Sequence, residues 1–259
     1  MNKSAARALD ILNVLAKSNK SLTQLEISQI LDLPKSSTFE LLYTMLEKGI
    51  LEFDNEALKT FRLSLKVFEL GMSVMEKTDL PKIARPCLEK LSRDSHETVF
   101  LAVEDQGSIV YLDRVEETSS ITTSVGLGVR RPMYCTGLGK ALLAGHDEDK
   151  VKLIWDKADK VRYTNYTIRN YEDLLAELEK TRERGYAVDD REVENEIFCV
   201  AAPLYDRLNK AVGAISIASL YVKMDTGRTA AFGKMVIEAA LAISKRLGFR
   251  RDNLYVRDE

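Results

Sequence analysis

Residues 23–48, TQLEISQILDLPKSSTFELLYTMLEK, constrain the chain more than any other stretch. Two segments with helical spacing of apolar residues flank a short break, DLPK, and such a pair reads as helix-turn-helix. The first segment opens at Thr23, whose hydroxyl can cap a helix, and Glu26 follows at the capping-box spacing. It carries Leu25, Ile27, Ile30 and Leu31. The second opens on Pro34, which suits the first helical position, after Leu33, which cannot cap. A turn of about 100° per residue sorts its faces. Thr38, Leu41, Leu42, Met45 and Leu46 share the side suited to burial, while Ser36, Glu40, Tyr43 and Glu47 lie opposite, with Ser37, Phe39 and Thr44 on the flanks. Ser36 and Ser37 in the first turn lie off the packing side, as ordinary helix-start residues or as groups that face a partner. Uncapped amides there, with Lys35 adjacent, suit a phosphate oxygen.

The neighbouring segments extend this pattern. Ser4 to Lys17 reads as an amphipathic helix through Ala8, Ile11, Leu12 and Leu15, interrupted by Asp10 and Asn13. That makes it a surface helix rather than a signal peptide, and it places the protein in the cytoplasm. No apolar run approaches the roughly 18 residues that span a bilayer. After Gly49, ILEFD and TFRLS alternate as short strands around the turn NEALK, a hairpin that forms a wing. Lys59 and Arg62 sit where a wing meets the DNA backbone. Net charge is −2, and residues 1–63 carry eight Lys/Arg against eight Asp/Glu, so the placement of charge has to do what its total does not. A small helical domain that merely packs, or an interaction module without DNA contact, is the alternative.

The stretches SAARALDILNVLAKS, SLTQLEISQILDLPKSSTFELLYTMLEKGILEFD and KTFRLSLKVFELG together resemble the winged-helix half of the IclR family of bacterial transcription regulators. The resemblance implies operator DNA as a partner, with a DNA-facing set of Arg7, Thr23, Lys35, Ser36, Ser37, Phe39, Glu40, Tyr43, Lys59 and Arg62. Glu40 departs from the family, which commonly has arginine there. A carboxylate repels phosphate but can accept from a cytosine amine.

Residues 64–80 place Leu65, Phe68, Met72 and Met75 on one helical face and end at Pro81. In IclR-like proteins such a segment is a linker helix that joins protomers, which implies a homodimer or homotetramer.

From residue 81 onward, strand patterns cover ETVFLAVE, SIVYLDRVE, ITTSV, IFCVAAPLYD and AVGAISIASL. Helical patterns fall at 82–94, 137–144, 147–156, 170–184 and 226–247, the fourth with Asn170 able to cap it and Gly185 to end it. The tight turns EDQG and DRLN favour antiparallel pairing. The string GLGK lacks a full phosphate loop, leaving a loop that enters a helix near Gly137. RRPMYCTGLGKALLA, RGYAVDDREVENEIFCVAAPLYD and GAISIAS resemble the GAF-like effector-binding domain of the same family.

The resemblance implies an effector pocket built from Tyr134, Thr136, Gly137, Leu138, Asp189, Cys199, Ser216 and Ala218. Ala218 takes the place of a second hydroxyl, and Glu196 stands where the family usually has glycine. Both departures tell against a glyoxylate- or pyruvate-sized acid, while Arg130, Tyr134 and the hydroxyl lost at Ala218 leave a larger, partly apolar acid open.

The expectation is therefore an α+β two-domain chain. Residues 1–63 form a winged helix-turn-helix, 64–80 a linker helix, and 81–259 a GAF-like antiparallel sheet flanked by helices. Three scattered cysteines and two histidines show no zinc spacing, so neither metal nor other cofactor is expected. The best nucleophile set, Cys135 with His96 or His146, puts both histidines in exposed loops, and no catalytic residues are expected.

Overall fold

The computed structural model describes residues 2–76, 79–116 and 125–255, and the chain divides into two compact units, Met1–Thr78 and Asp79–Glu259. No helix among the described residues is long and apolar enough to cross a membrane.

The first unit opens with α1 (Lys3–Lys17), capped by Asn2, whose side-chain oxygen accepts from the amides of Ser4 and Ala5. Helix α2 (Gln24–Ile30) starts at Thr23 with both halves of the capping box made. Thr23 Oγ1 accepts from the Glu26 amide at 3.3 Å, and Glu26 Oε2 accepts from the Thr23 amide at 2.8 Å. Helix α3 (Lys35–Glu47) buries Thr38, Leu42 and Met45, the side that its period selects. Ile11, Leu15, Ile27, Leu51 and Phe61 close the core around them, each fully buried aliphatic side chain contributing roughly 1.5–3 kcal/mol. Pro34 has ψ 136°, so it occupies the N-cap place rather than the first helical turn, and no side chain caps the helix.

Strand β2 (Leu51–Asn55) pairs with β3 (Thr60–Leu63) as the expected hairpin. On the other edge of β3 lies β1 (Leu22–Thr23), giving the order β1-β3-β2. Two residues are too few to display alternation, so β1 had no signal in the sequence. Helix α4 (Leu65–Glu76) follows and leaves Leu65, Phe68, Leu70 and Met72 exposed.

The second unit begins with α5 (Asp79–Ser95). It starts earlier than the apolar period indicates, because Pro81 falls in the first turn, where no amide donor is needed. Strands β4 (Thr98–Asp105) and β5 (Ser108–Val115) are joined by Gln106 and Gly107, both at positive φ (51° and 78°), the backbone of a two-residue hairpin turn. Then come β6 (Arg130–Pro132), α6 (Gly137–Ala144), α7 (Glu148–Lys157) and α8 (Tyr171–Arg184), the last capped by Asn170 and ended by left-handed Gly185. Strands β7 (Ala187–Asp190), β8 (Ile197–Tyr205) and β9 (Ala211–Leu220) lead to α9 (Thr226–Arg246). Residues 121–124 of the strand expected at ITTSV lie outside the described residues.

The six strands form one antiparallel sheet in the order β6-β5-β4-β9-β8-β7. Alternation along the central strands divides the unit into two cores. Val99, Leu101, Val200, Ala202, Ile215 and Ile217 meet α5 and α9 on one face. Phe100, Ala102, Ala201, Ala214 and Ala218 meet α6 on the other, with α7 and α8 packed beyond it. Small residues on that second face let α6 settle close to the sheet, and all eight of its residues are buried. Gly139 is obligatory there: a Cβ would stand 2.3 Å from Met133 Cα. β6 and β7 carry charged runs, RRP and AVDD, whose apolar period is too brief to mark them as strands.

Candidate functional site

The first polar assembly lies at the start of α3. Lys35, Ser36 and Glu40 are exposed, and Ser37 is half-buried with its hydroxyl accepting from Arg7 Nη1 at 3.3 Å. With Pro34 at the cap, the amides of Lys35, Ser36 and Ser37 precede the first intrahelical bond, Thr38 N to Pro34 O. They form an outward-facing set of donors at the positive end of the helix dipole.

Tyr43, expected on the open face, is half-buried. Its ring stacks on Phe39 at 4.2 Å between centroids and meets Phe53 and Phe61 edge-on at 6.4 and 6.3 Å. Lys59 folds over this cluster, its ammonium 5.6 Å from the Phe53 ring and donating to Tyr43 Oη at 3.4 Å. The wing and the helix thus share one aromatic seam with a cation on top.

Two expected contacts are otherwise engaged. Thr23 spends its hydroxyl on Glu26, both as acceptor and as donor. Arg62 lies across the hairpin between Glu52 and Asp54, each at 2.7 Å, so its charge is locally matched.

The second assembly is a cavity of about 40 Å³ in the sheet-and-helix unit. Strand register explains why residues so far apart in sequence meet there. Asp189 pairs with Cys199 and Cys199 with Ala218, while Ala201 pairs with Ser216 and Ser216 with Phe100. These two neighbouring rungs point to the same face and supply Asp189, Cys199, Ala218, Ser216 and Phe100 to the cavity wall. The start of α6 brings Thr136, Gly137 and Leu138 over them. Thr136 holds that turn by accepting from the Gly139 amide and donating to the Pro132 carbonyl. Tyr134 is not among the lining residues: its ring packs edge-on against Trp155 and its hydroxyl donates to the Val161 carbonyl.

The cavity also contains Tyr111, Arg131, Val193, Glu194 and Ile197, which the motifs did not single out. For Arg131 a signal existed. In the pair Arg130-Arg131 a strand must send one side chain to each face. Arg131 faces inward beside Ile109, while Arg130 is tied to Asp105.

Behind the wall, Lys140 is completely buried and ion-paired with Glu192, whose other carboxylate oxygen has no hydrogen-bond partner among the described residues. The lysine of GLGK is thus an internal counter-charge. Asp189 accepts from the Glu192 amide at 2.8 Å. Burial, reinforced by the Glu192 charge and opposed by Lys140, pushes the Asp189 carboxyl up to about 7.

The nucleophile set does not assemble. Burial pushes the Cys135 thiol up, the reverse of what an attacking thiolate needs. His146 is not the exposed loop residue expected; it is largely buried, with Nε2 3.2 Å from Glu104 Oε2. His96 is exposed, at a left-handed turn.

A winged helix with an open polar helix start, and a separate unit enclosing a mainly apolar cavity with a few polar side chains, define a DNA-binding regulator with a ligand-sensing domain. Known proteins make that class specific. The profile described as "IclR helix-turn-helix domain" matches residues 4–55, and that of "Bacterial transcriptional regulator IclR C-terminal" matches residues 72–245. The chain is 32% identical over 246 residues to HTH-type transcriptional regulator KdgR of Escherichia coli (strain K12), covering 95% of this chain and 93% of that one. It is 33% identical over 251 residues to transcriptional repressor IclR of the same strain, covering 96% and 91%. The crystal structure of Thermotoga maritima IclR matches with a TM-score of 0.80 at 30% identity, over 95% of this chain and 99% of that one. The chain belongs to the IclR family of bacterial transcriptional regulators, with an N-terminal helix-turn-helix DNA-binding domain and a C-terminal effector-binding domain.

Proposed function

We propose that this regulator inserts α3 into a major groove of its operator and that Lys35, Ser36, Ser37, Phe39 and Glu40 face DNA there. Arg7 steadies the helix start through Ser37, Lys59 reaches the backbone from the wing, and Thr23 acts by capping α2. The observation that carries the reading is the open start of α3: three uncapped amides, the exposed Ser36 hydroxyl and a lysine with no ion pair among the described residues in one turn. Such a set has a use only if an anion arrives.

The protein binds as an oligomer, because one half-site is short and one charge-balanced domain binds weakly. Leu65 and Phe68 of α4, 76% and 64% exposed, support α4 as part of the pairing surface. A small organic acid in the cavity, against Thr136, Gly137, Leu138, Asp189, Cys199, Ser216 and Ala218, shifts the spacing of paired DNA heads. Typical coupling of this kind is about 1–3 kcal/mol. The chain has no catalytic role: Cys135 is a core thiol without an activating base.

A salt series on DNA from upstream of the gene tests the first claim. Binding falls steeply with salt, and Lys35→Ala and Lys59→Ala each lower the slope of log K against log salt by about 1. Binding that ignores salt, or variants that bind like the parent, sinks it. Light scattering of Phe68→Glu, expected to be smaller than the parent, tests the oligomer.

A further inference from the structure

The cavity holds one cation, Arg131, whose side chain no described residue satisfies. Arg131 makes no hydrogen bond and no ion pair among the described residues, and its Nε is buried without a partner. Its neighbour Arg130, one residue away on the opposite face of β6, bonds both the carbonyl and the carboxylate of Asp105. A guanidinium carries five donors in a rigid fork, and leaving it unmatched where it is partly buried is costly.

The rest of the lining has the opposite character. Glu194 and Asp189 are acceptors when ionised; Glu194 has no ion-pair partner among the described residues, and Asp189 uses one oxygen on the Glu192 amide. The hydroxyls of Ser216 and Tyr111 make no hydrogen bond among the described residues, and each can donate or accept. Phe100, Val125, Leu138 and Ala218 provide apolar wall between these groups. A ligand that satisfies this lining needs an anionic fork acceptor for Arg131 and groups that both donate and accept for the isolated polar side chains.

Resting on the reading of this cavity as an effector site, we propose that the effector is a hydroxylated carboxylic acid, its carboxylate paired with Arg131 and its hydroxyls bonded to Glu194, Asp189, Ser216 and Tyr111. An acid without hydroxyls leaves buried acceptors unmatched, and a polyol without carboxylate leaves the guanidinium unmatched. Sites that bond a ligand hydroxyl reject analogues lacking it far more strongly than apolar pockets reject a missing methylene. Arg131 therefore selects acids, and the few other polar groups of the lining select among them.

The test uses matched probes on the full chain, by calorimetry and thermal shift. At three carbons these are glycerate, propionate, glycerol and serine; at six they are gluconate, hexanoate and glucitol. The hydroxy acid of one length binds about 100-fold or more tighter than its deoxy acid and its polyol. Arg131→Gln weakens that binding at least about 30-fold, as loss of a charge-assisted pair requires, and Arg131→Lys recovers part of it. Without ligand Arg131→Gln melts no lower than the parent, since it removes a guanidinium that no described residue satisfies.

Four results overturn the proposal: equal binding of the deoxy acid, tighter binding of serine, an Arg131→Gln variant that binds like the parent, or no binding by either hydroxy acid. Hydroxyl-independent binding of propionate or hexanoate that still needs Asp189 and Thr136 would leave the organic-acid reading standing while removing this one. If none of these acids binds, and benzoate also fails, the organic-acid reading falls as well.

Discussion

Arg62 and Arg131 are the same side chain in opposite circumstances. Arg62 stands in solvent on the wing, 55% exposed, with two carboxylates at 2.7 Å. Arg131 reaches into a cavity and has no partner among the described residues. On the DNA-facing unit, Arg62 is exposed and already matched locally, so its pairs are worth little until a longer-range partner competes for it. In the effector unit, polar groups are enclosed, so every match or mismatch is expensive. The contrast predicts that equal chemical edits have large effects on one unit and small effects on the other.

The largest expected effect is at Lys140 and Glu192. Either Lys140→Met or Glu192→Ala leaves one charge buried alone and destabilises the effector unit by about 3–5 kcal/mol. Replacing both, as Lys140→Met with Glu192→Leu, restores most of that loss, because the desolvation cost disappears with the pair. Trp155, the chain's one tryptophan, is buried in this unit, so its fluorescence during urea unfolding follows the effector unit by itself. Single variants within about 0.5 kcal/mol of the parent would erase the distinction between enclosed and exposed charge.

The same contrast explains what the sequence could reveal. The surface of α3 was legible because helical periodicity separates an outward row from an inward one, and Ser36 and Glu40 fell where the period put them. Tyr43 shifted toward burial because Phe39, Phe53 and Phe61 surround it, a tertiary contact that no single-helix projection contains. In the cavity, Thr136, Gly137, Leu138, Asp189, Cys199, Ser216 and Ala218 were identified by resemblance, and their convergence depends on the register of β7, β8, β9 and β4. Arg131 and Glu194 lie within the quoted motif stretches but were not singled out, because which strand face each takes depends on the sheet. The buried Lys140 was concealed by its residue type, since lysine in a short helix ordinarily reads as solvated.

A smaller effect, dependent on pH, belongs to Asp189. Its folded value lies above the ordinary 3.8, near 7, chiefly through burial and then through the Glu192 charge. Between about pH 4 and 7 the folded chain therefore retains a proton that the unfolded chain releases, and stability falls as pH rises through that window. Glu192, Asp190 and Lys140 are the charges acting on it. Asp189→Asn keeps an oxygen for the Glu192 amide and carries no charge at any pH. Relative to the parent, it gains on the order of 1–3 kcal/mol at pH 8 and nothing at pH 4. A parent whose urea midpoint stays level from pH 4 to 8 would mean that Asp189 is ionised throughout and that the cavity is better hydrated than its burial implies.

The smallest effect sharpens the comparison from the wing. Glu52→Gln removes one of Arg62's two partners while preserving an oxygen that can still accept from Nε. An exposed pair of this kind contributes roughly 0–1 kcal/mol, so the melting of the first unit barely moves. DNA binding responds more, because Arg62 gains freedom to turn toward a phosphate: affinity rises about threefold to tenfold at low salt, and the salt slope steepens by about 1. Loss of any negative charge helps binding to a polyanion, so Asp10→Asn is the control. It removes the same charge from an exposed site on α1 that has no ion pair among the described residues, and it releases no arginine. Glu52→Gln must exceed it in both affinity and slope. If the two variants behave alike, Arg62 does not reach the backbone, and Lys59 is the wing's working cation.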